Sequence, residues 1–267
     1  MTAPEGDLTG WTGAPFTGAG ITHDVYQKGE GPGVILIPEL PGIHPYVLGL
    51  ANYLVDNGFT VAMPSLFGDP GRAITPAYWA AGIARGCVTR EFMALATNAN
   101  RPVAQYLRAL ARDVNDRTPG PGVGVIGMCF TGGFALAAAV DNSVLAPVLS
   151  QPSVPFPFTP KQRRDPGLSE AELNVVVDRA NNEGLCAIGL RFSKDPLSPA
   201  ERFTTLRERL GDSFEVIEID SSAGNKHGFG RMAHSVLTDQ VREIEGHPAF
   251  EARNRVVQFL KERLTAH

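Results

Sequence analysis

From Gly122 to Val140 the chain runs for 19 residues without a charged side chain, and the placement of glycine within that stretch decides how it can fold. About 20 apolar residues suffice to cross a bilayer as a helix, so a membrane span is the first possibility to test. Five of the 19 residues are glycine, grouped at Gly122 to Gly127 and at Gly132 and Gly133. They flank two runs of different period. The pattern therefore predicts a buried strand over Val123 to Ile126, a sharp turn, and a buried helix over Thr131 to Val140.

The same alternation recurs along the chain. Val34 to Ile37 reads as a strand, Tyr46 to Asn57 as a helix, and Phe59 to Met63 as the next strand. Further strands are predicted at Val144 to Leu149, Leu185 to Leu190 and Phe214 to Ile219. Helices are predicted near Glu170 to Asn181, from Pro199 to Leu210 and from Pro248 to Leu264. Strand-length apolar runs separated by helical segments are the sequence form of βαβ units. The expected fold class is α/β, a mostly parallel central sheet with helices on both faces. Ser169 with Glu172 predicts a capping box, and Ser198, Pro199 and Glu201 predict another, with Gly184 and Gly211 placed to end the two helices.

Three segments fit no regular element: Pro64 to Pro76, Gln151 to Gly167 with five prolines and two phenylalanines, and Ser221 to Gly246. Each follows a predicted strand, where parallel sheets gather their ligands, and long loops in compact domains are usually functional. With no internal repeat or linker, residues 1–267 read as one domain.

Composition excludes several functions. Lys plus Arg number 24 against 28 for Asp plus Glu, a net charge of −4, which leaves no surplus to grip a phosphate backbone, so no nucleic-acid partner is expected. Three scattered cysteines, Cys87, Cys129 and Cys186, make neither a disulfide framework nor a zinc cluster. No His or carboxylate pair has ligand spacing on a helix face, so no metal is expected, and the chemistry calls for no organic cofactor. The N-terminal MTAPEGDLTGWTG lacks a basic start and an apolar run. A cytoplasmic protein with a small-molecule substrate and no membrane partner is expected, its oligomeric state unassigned.

The chemistry concentrates at Gly127-Met128-Cys129-Phe130-Thr131-Gly132-Gly133, between a strand and an Ala-rich helix. A nucleophile elbow needs small neighbours around a strained turn, and the helix N-terminus favours a thiolate. Cys129 stands where serine is usual, the Phe130 amide offers one oxyanion donor, and Thr131 stands where glycine is usual, to be accommodated by Gly132 and Gly133. The alternative for Cys129 is a small buried hydrophobe. A thiol nucleophile also needs a base and an orienting acid. Asp195 follows the predicted strand Leu185 to Leu190, and His227 follows Phe214 to Ile219, which places acid and base at the same sheet edge as Cys129. Asp195 before Pro196 also suits an ordinary turn, and His227 an ordinary loop. His44 and His234 could line a pocket, though surface roles are expected of them and of His23, His247 and His267. Glu39, in Ile37-Pro38-Glu39-Leu40-Pro41-Gly42, would face the elbow, and the Leu40 amide would be a second oxyanion donor.

The elbow Cys129, the Glu39 loop, Asp195-Pro196 followed by Glu201-Arg202-Phe203, and His227-Gly228-Phe229 with Arg231 four residues after the histidine together resemble the dienelactone hydrolase family. The resemblance runs from about Gly33 to Leu264. It implies an α/β-hydrolase fold and a Cys129-His227-Asp195 triad that opens an enol-lactone to maleylacetate, a carboxymethylenebutenolidase-type reaction of aromatic degradation. By the same resemblance Glu39 partners the resting thiol and takes its proton when substrate arrives, and Arg231 binds the substrate carboxylate. A second arginine is implied, with Arg85 favoured over Arg72 and Arg90. Residues 151–173 exceed the family's short connection and would form a lid over the site. Cys87 and Cys186 match nothing catalytic.

Three functions follow. The first is a cysteine hydrolase of small, carboxylated lactones. The second keeps the triad as a general carboxylesterase or thioesterase for bulkier acyl groups, suggested by Pro152, Pro155, Phe156, Pro157 and Phe158. The third is a non-catalytic ligand-binding or thiol-sensing protein.

Overall fold

The computed structural model describes residues 6–265, apart from the side chains of Ile83 and of residues 85–88. Eight strands form one sheet. They are β1 (Thr12–Gly18), β2 (Ile21–Lys28), β3 (Gly33–Ile37), β4 (Thr60–Pro64), β5 (Val123–Met128), β6 (Val144–Ser150), β7 (Ala187–Phe192) and β8 (Phe214–Ile219), in the order β1-β2-β4-β3-β5-β6-β7-β8. From β4 to β8 every neighbouring pair is parallel. The first two strands are a hairpin running antiparallel to β4. Ala19 and Gly20 turn it with φ of 51° and 79°, the left-handed pair that matches the twist of two joined strands.

The sheet is covered on both faces, and alternation along each strand divides the core between them. Ile35, Ile37, Val123 and Val125 face α3 (Pro102–Arg117), α4 (Gly132–Ala138), α6 (Glu170–Glu183) and α7 (Ala200–Leu210). Val34, Leu36, Ile126 and Met128 face α1 (Pro45–Asp56) and α8 (Pro248–Leu264). The expected mostly parallel sheet with helices on both faces is the fold observed. Boundaries differ by a residue or two, as helix and strand ends do.

Sequence patterning missed the β1–β2 hairpin, α2 (Pro76–Val88), α3 and the short α5 (Pro160–Arg164). The hairpin strands bury only Gly18 and Val25, so no apolar run marks them, whereas α3 opens with Pro102 in its first turn and buries Val103, Leu107, Leu110 and Val114 on one stripe. The Ser169–Glu172 box is present: Ser169 Oγ accepts the Glu172 amide and the Glu172 carboxylate accepts the Ser169 amide. The second predicted box is not. Pro199 occupies the cap before α7 without a side-chain bond, and the Ser198 hydroxyl is buried without a partner.

Two buried arginines fix the long irregular segments. Arg202, on α7, donates to the carbonyls of Pro152 (2.5 Å), Pro155 (2.6 Å), Gln162 (3.0 Å) and Asp165 (2.6 Å). Arg101, just before α3, donates to Phe92, Ala96, Ala99 and Gly167. Buried backbone carbonyls outside a ladder need donors, and these two guanidiniums supply eight such bonds. In the segment expected as a lid, 151–173, five backbone carbonyls are held by these two arginines, and from Glu170 it continues as α6.

Candidate active site

The loops after β3, β5, β6 and β7 and the long return after β8 meet at one end of the sheet. Cys129 follows β5 at φ 53°, a left-handed backbone that costs a non-glycine residue about 1–3 kcal/mol and is held only by its surroundings. A 3₁₀ turn, Cys129–Thr131, leads into α4. Two glycines make the turn possible. A Cβ on Gly127 would lie 2.3 Å from the Thr131 carbonyl oxygen, and one on Gly132 would lie 2.6 Å from Pro152 Cα. Thr131 itself has φ −96°, so its branched side chain needs no glycine. Its hydroxyl accepts the Met128 amide (3.0 Å) and lies 2.9 Å from the Met128 carbonyl and 3.1 Å from that of Ile37, binding the elbow to β3.

Asp195 follows β7, with 1% of its side chain exposed. One carboxylate oxygen accepts the Leu197 amide at 2.9 Å, and the other lies 2.6 Å from Nδ1 of His234. Burial pushes the His234 ring toward neutrality, but the adjacent Cys129 sulfur and the Asp195 hydrogen bond outweigh it and hold the imidazolium well above the ordinary histidine range. The other ring nitrogen, Nε2, is buried on the Cys129 side and makes no well-formed hydrogen bond within the resting protein. Ser153 completes the surroundings: its amide donates to the Cys129 carbonyl (2.9 Å), and its Oγ lies 3.9 Å from Sγ.

The expected base, His227, is not in this group. Asn225 accepts the amides of His227 (3.2 Å) and Phe229 (3.0 Å) and donates to the Phe229 carbonyl (2.7 Å). That tight loop turns His227 outward, exposed, with its ring 5.9 Å from that of His247. The chain then returns over the strand ends by burying Ala233, Val236 and Leu237, and His234, between them, is carried to Asp195. The signal available in sequence was this flank of apolar residues in Ala233-His234-Ser235-Val236-Leu237.

Moving the histidine moves its neighbours. Arg231 is exposed and lines none of the cavities at this end of the sheet. The residue four after His234 is Thr238, whose hydroxyl donates to Glu39 at 2.6 Å. Glu39 is buried, and it also accepts from Ser235 Oγ (3.1 Å) and Gln151 Nε2 (3.4 Å). Its hydrogen bonds go to these three side chains and none goes to Cys129. Arg72 pairs with Asp69 at 2.8 Å and lies over the Tyr78 ring, Arg90 is exposed, and the Arg85 side chain lies outside the described residues. Leu40 and Phe130, expected to supply oxyanion amides, both border Cys129 in the cavity it opens into.

That cavity, of about 350 Å³, is lined by Leu40, Trp79, Leu95, Phe130, Phe156 and Phe158, with Ser153 and Leu197. Phe156 packs edge-on to Phe130 at 6.0 Å, so the Pro/Phe segment forms one side of it. No arginine or lysine is among its described lining residues. Cys186, of intermediate exposure just before β7, lines neither this cavity nor the one around Glu39.

An elbow residue in a strained turn, beside a histidine that an acid orients at the edge of a parallel sheet, is the architecture of an α/β hydrolase. Residues 22–264 match the profile of the Dienelactone hydrolase family, and the chain belongs to that family. A carboxymethylenebutenolidase of Rhodococcus opacus is 31% identical over 126 residues, 46% of this chain. The match spans 45% of the Rhodococcus protein's length. Among solved structures, a Klebsiella pneumoniae subsp. pneumoniae MGH 78578 protein assigned as a dienelactone hydrolase superposes with TM-score 0.62 at 17% identity, covering 94% of this chain and 98% of its own. The α/β hydrolase GrgF of Penicillium sp. sh18 gives 0.61 at 15%, covering 95% and 99%. At these identities the structures establish the shared fold.

Proposed function

We propose that this chain hydrolyses neutral carboxylic esters or lactones of apolar acids through Cys129, with His234 as proton carrier and Asp195 as its orienting acid. The observation that carries the reading is the 2.6 Å Asp195–His234 bond with the second ring nitrogen left beside Cys129. In the reaction Sγ forms a bond to the carbonyl carbon, the thiol proton resides on His234, and the collapsing tetrahedral intermediate expels the alcohol with that proton. Water then gives a proton to His234 and its oxygen to the thioester carbonyl, releasing the acid and restoring the thiol. The amides of Phe130 and Leu40 are the oxyanion donors in this reading.

The substrate class follows from the cavity wall. An apolar lining gains from burying hydrocarbon at about 25 cal/mol per Å², while a carboxylate brought there without a cation loses its hydration unreturned. With Arg231 outside the cavity and Thr238 four residues after the histidine, the neutral-ester reading is better supported than a carboxylated dienelactone.

The test is a panel of p-nitrophenyl acetate, butyrate, hexanoate and octanoate, with dienelactone, run on the native protein and on Cys129→Ala. Rates rising with acyl length, dienelactone at least about tenfold poorer than hexanoate, and background rates for Cys129→Ala are expected. Full activity in Cys129→Ala would overturn the nucleophile, and dienelactone turned over best would overturn the substrate class.

A further inference from the structure

A second cavity, of about 380 Å³, adjoins the apolar one and shares Leu40 and Trp79 with it. Its character is opposite. Glu39, His44, Ser235 and Asp239 line it, with Tyr46 on its rim, and no lysine or arginine is among its described lining residues. His44 is 2% exposed, yet among the described residues neither of its ring nitrogens has a hydrogen-bond partner. The Glu39 carboxylate stands 3.8 Å from Nε2, beyond hydrogen-bond range. Burial lowers the pKa of this imidazole, against the opposing charges of Glu39 and Asp239, so at neutral pH the ring carries an acceptor nitrogen as well as a donor. A buried polar group left unpaired costs about 1–3 kcal/mol, so each one in a native protein needs a reason, a functional role or an occupant of the site among them.

We infer that this cavity is the subsite for the alcohol portion of the substrate, and that the group it takes is a protonated amine. Resting on the hydrolase reading above, the assignment of sides follows from proton transfer. The departing alkoxide must lie next to His234, and the adjacent Ser235 lines this polar cavity, whereas the cavity that Cys129 itself lines retains the acyl chain. An ammonium N–H can donate to the free nitrogen of His44. Its charge is matched by Glu39 and Asp239, and the half-exposed faces of Tyr46 and Trp79 suit an alkylammonium body. The substrate is therefore an ester of an apolar acid with an amino alcohol.

Two measurements test this. The first compares kcat/KM for 2-(dimethylamino)ethyl hexanoate, protonated at neutral pH, with its neutral isostere 3-methylbutyl hexanoate. The native protein should favour the amino ester by about tenfold, the scale of one charge-assisted hydrogen bond, and His44→Phe and Asp239→Asn should each shrink that ratio severalfold. The second is calorimetric titration of Cys129→Ala with 2-(dimethylamino)ethanol, which needs no turnover. Saturable binding, weakened by His44→Phe and by 0.5 M salt, is expected. No binding, or a ratio near one that neither substitution changes, would overturn the subsite. Binding with neither ester hydrolysed would leave the subsite standing and overturn the hydrolase reading.

Discussion

Replacing His234 by alanine removes the imidazole that Asp195 holds beside Cys129. A positioned acid–base side chain contributes about 10²–10⁴ in rate, and at 1.36 kcal/mol per decade that is ~2.7–5.4 kcal/mol of transition-state stabilisation. The loss should fall toward the upper end. In the proposed mechanism His234 serves twice, returning a proton to the leaving alkoxide and taking one from water, and no other described imidazole borders the Cys129 cavity to substitute for it. The same substitution at His227 should leave kcat/KM within about twofold, since exposed positions away from the chemistry change little. The assay is hydrolysis of p-nitrophenyl hexanoate at pH 7.5, with circular dichroism confirming that both variants fold. His234→Ala keeping more than a tenth of native activity, or His227→Ala falling as far as His234→Ala, would refute the assignment.

Other expectations follow from separate features. Thr131→Val keeps shape but strands the buried Met128 amide, so the urea midpoint should fall by an amount worth about 1–3 kcal/mol. Arg202→Met, at a guanidinium that burial pushes down to about 10, should cost about 3–5 kcal/mol by leaving four carbonyls without their donor, and activity on octanoate should suffer more than on acetate. His234 titrates above its unfolded value, so its contribution to stability is full below about pH 6.5 and is lost as pH rises through the folded value. The stability deficit of His234→Ala, measured in urea, should therefore be larger at pH 6 than at pH 9. Arg231→Ala should leave the ratio of dienelactone to hexanoate turnover unchanged; a selective loss on dienelactone would restore its expected role.

The parallel sheet, the elbow at Cys129 and the acid at Asp195 were legible because each rests on local pattern: an apolar run, then small residues, then a helix or a turn at the strand's end. The histidine was not. Between β8 and α8 the chain spans a long return with no periodicity, and three histidines, His227, His234 and His247, satisfy the same order of roles. Which one arrives is settled by tertiary facts, the Asn225 loop that turns His227 out and the burial of Val236 and Leu237 that draws His234 in. Taking His227 as the base is also what singles out the arginine four residues on, so those two expectations stand or fall together. Glu39 was correctly placed at the sheet edge, but its bonds to Thr238 and Ser235 depend on the same return and could not be read beforehand. The β1–β2 hairpin escaped notice because a ribbon that buries only Gly18 and Val25 carries no apolar run to find.

The four carbonyls gripped by Arg202 make the Pro/Phe wall of the Cys129 cavity a dependent part rather than an interchangeable one. A graft that swaps only the Pro/Phe stretch for a relative's loop would leave a charged fork in the interior with nothing to hold, and would unseat α7 along with the loop. Redesign of that cavity must therefore treat the stretch and that helix as one transplantable unit, or else be confined to the tips of Phe156 and Phe158, where a side chain can change without disturbing the clasp.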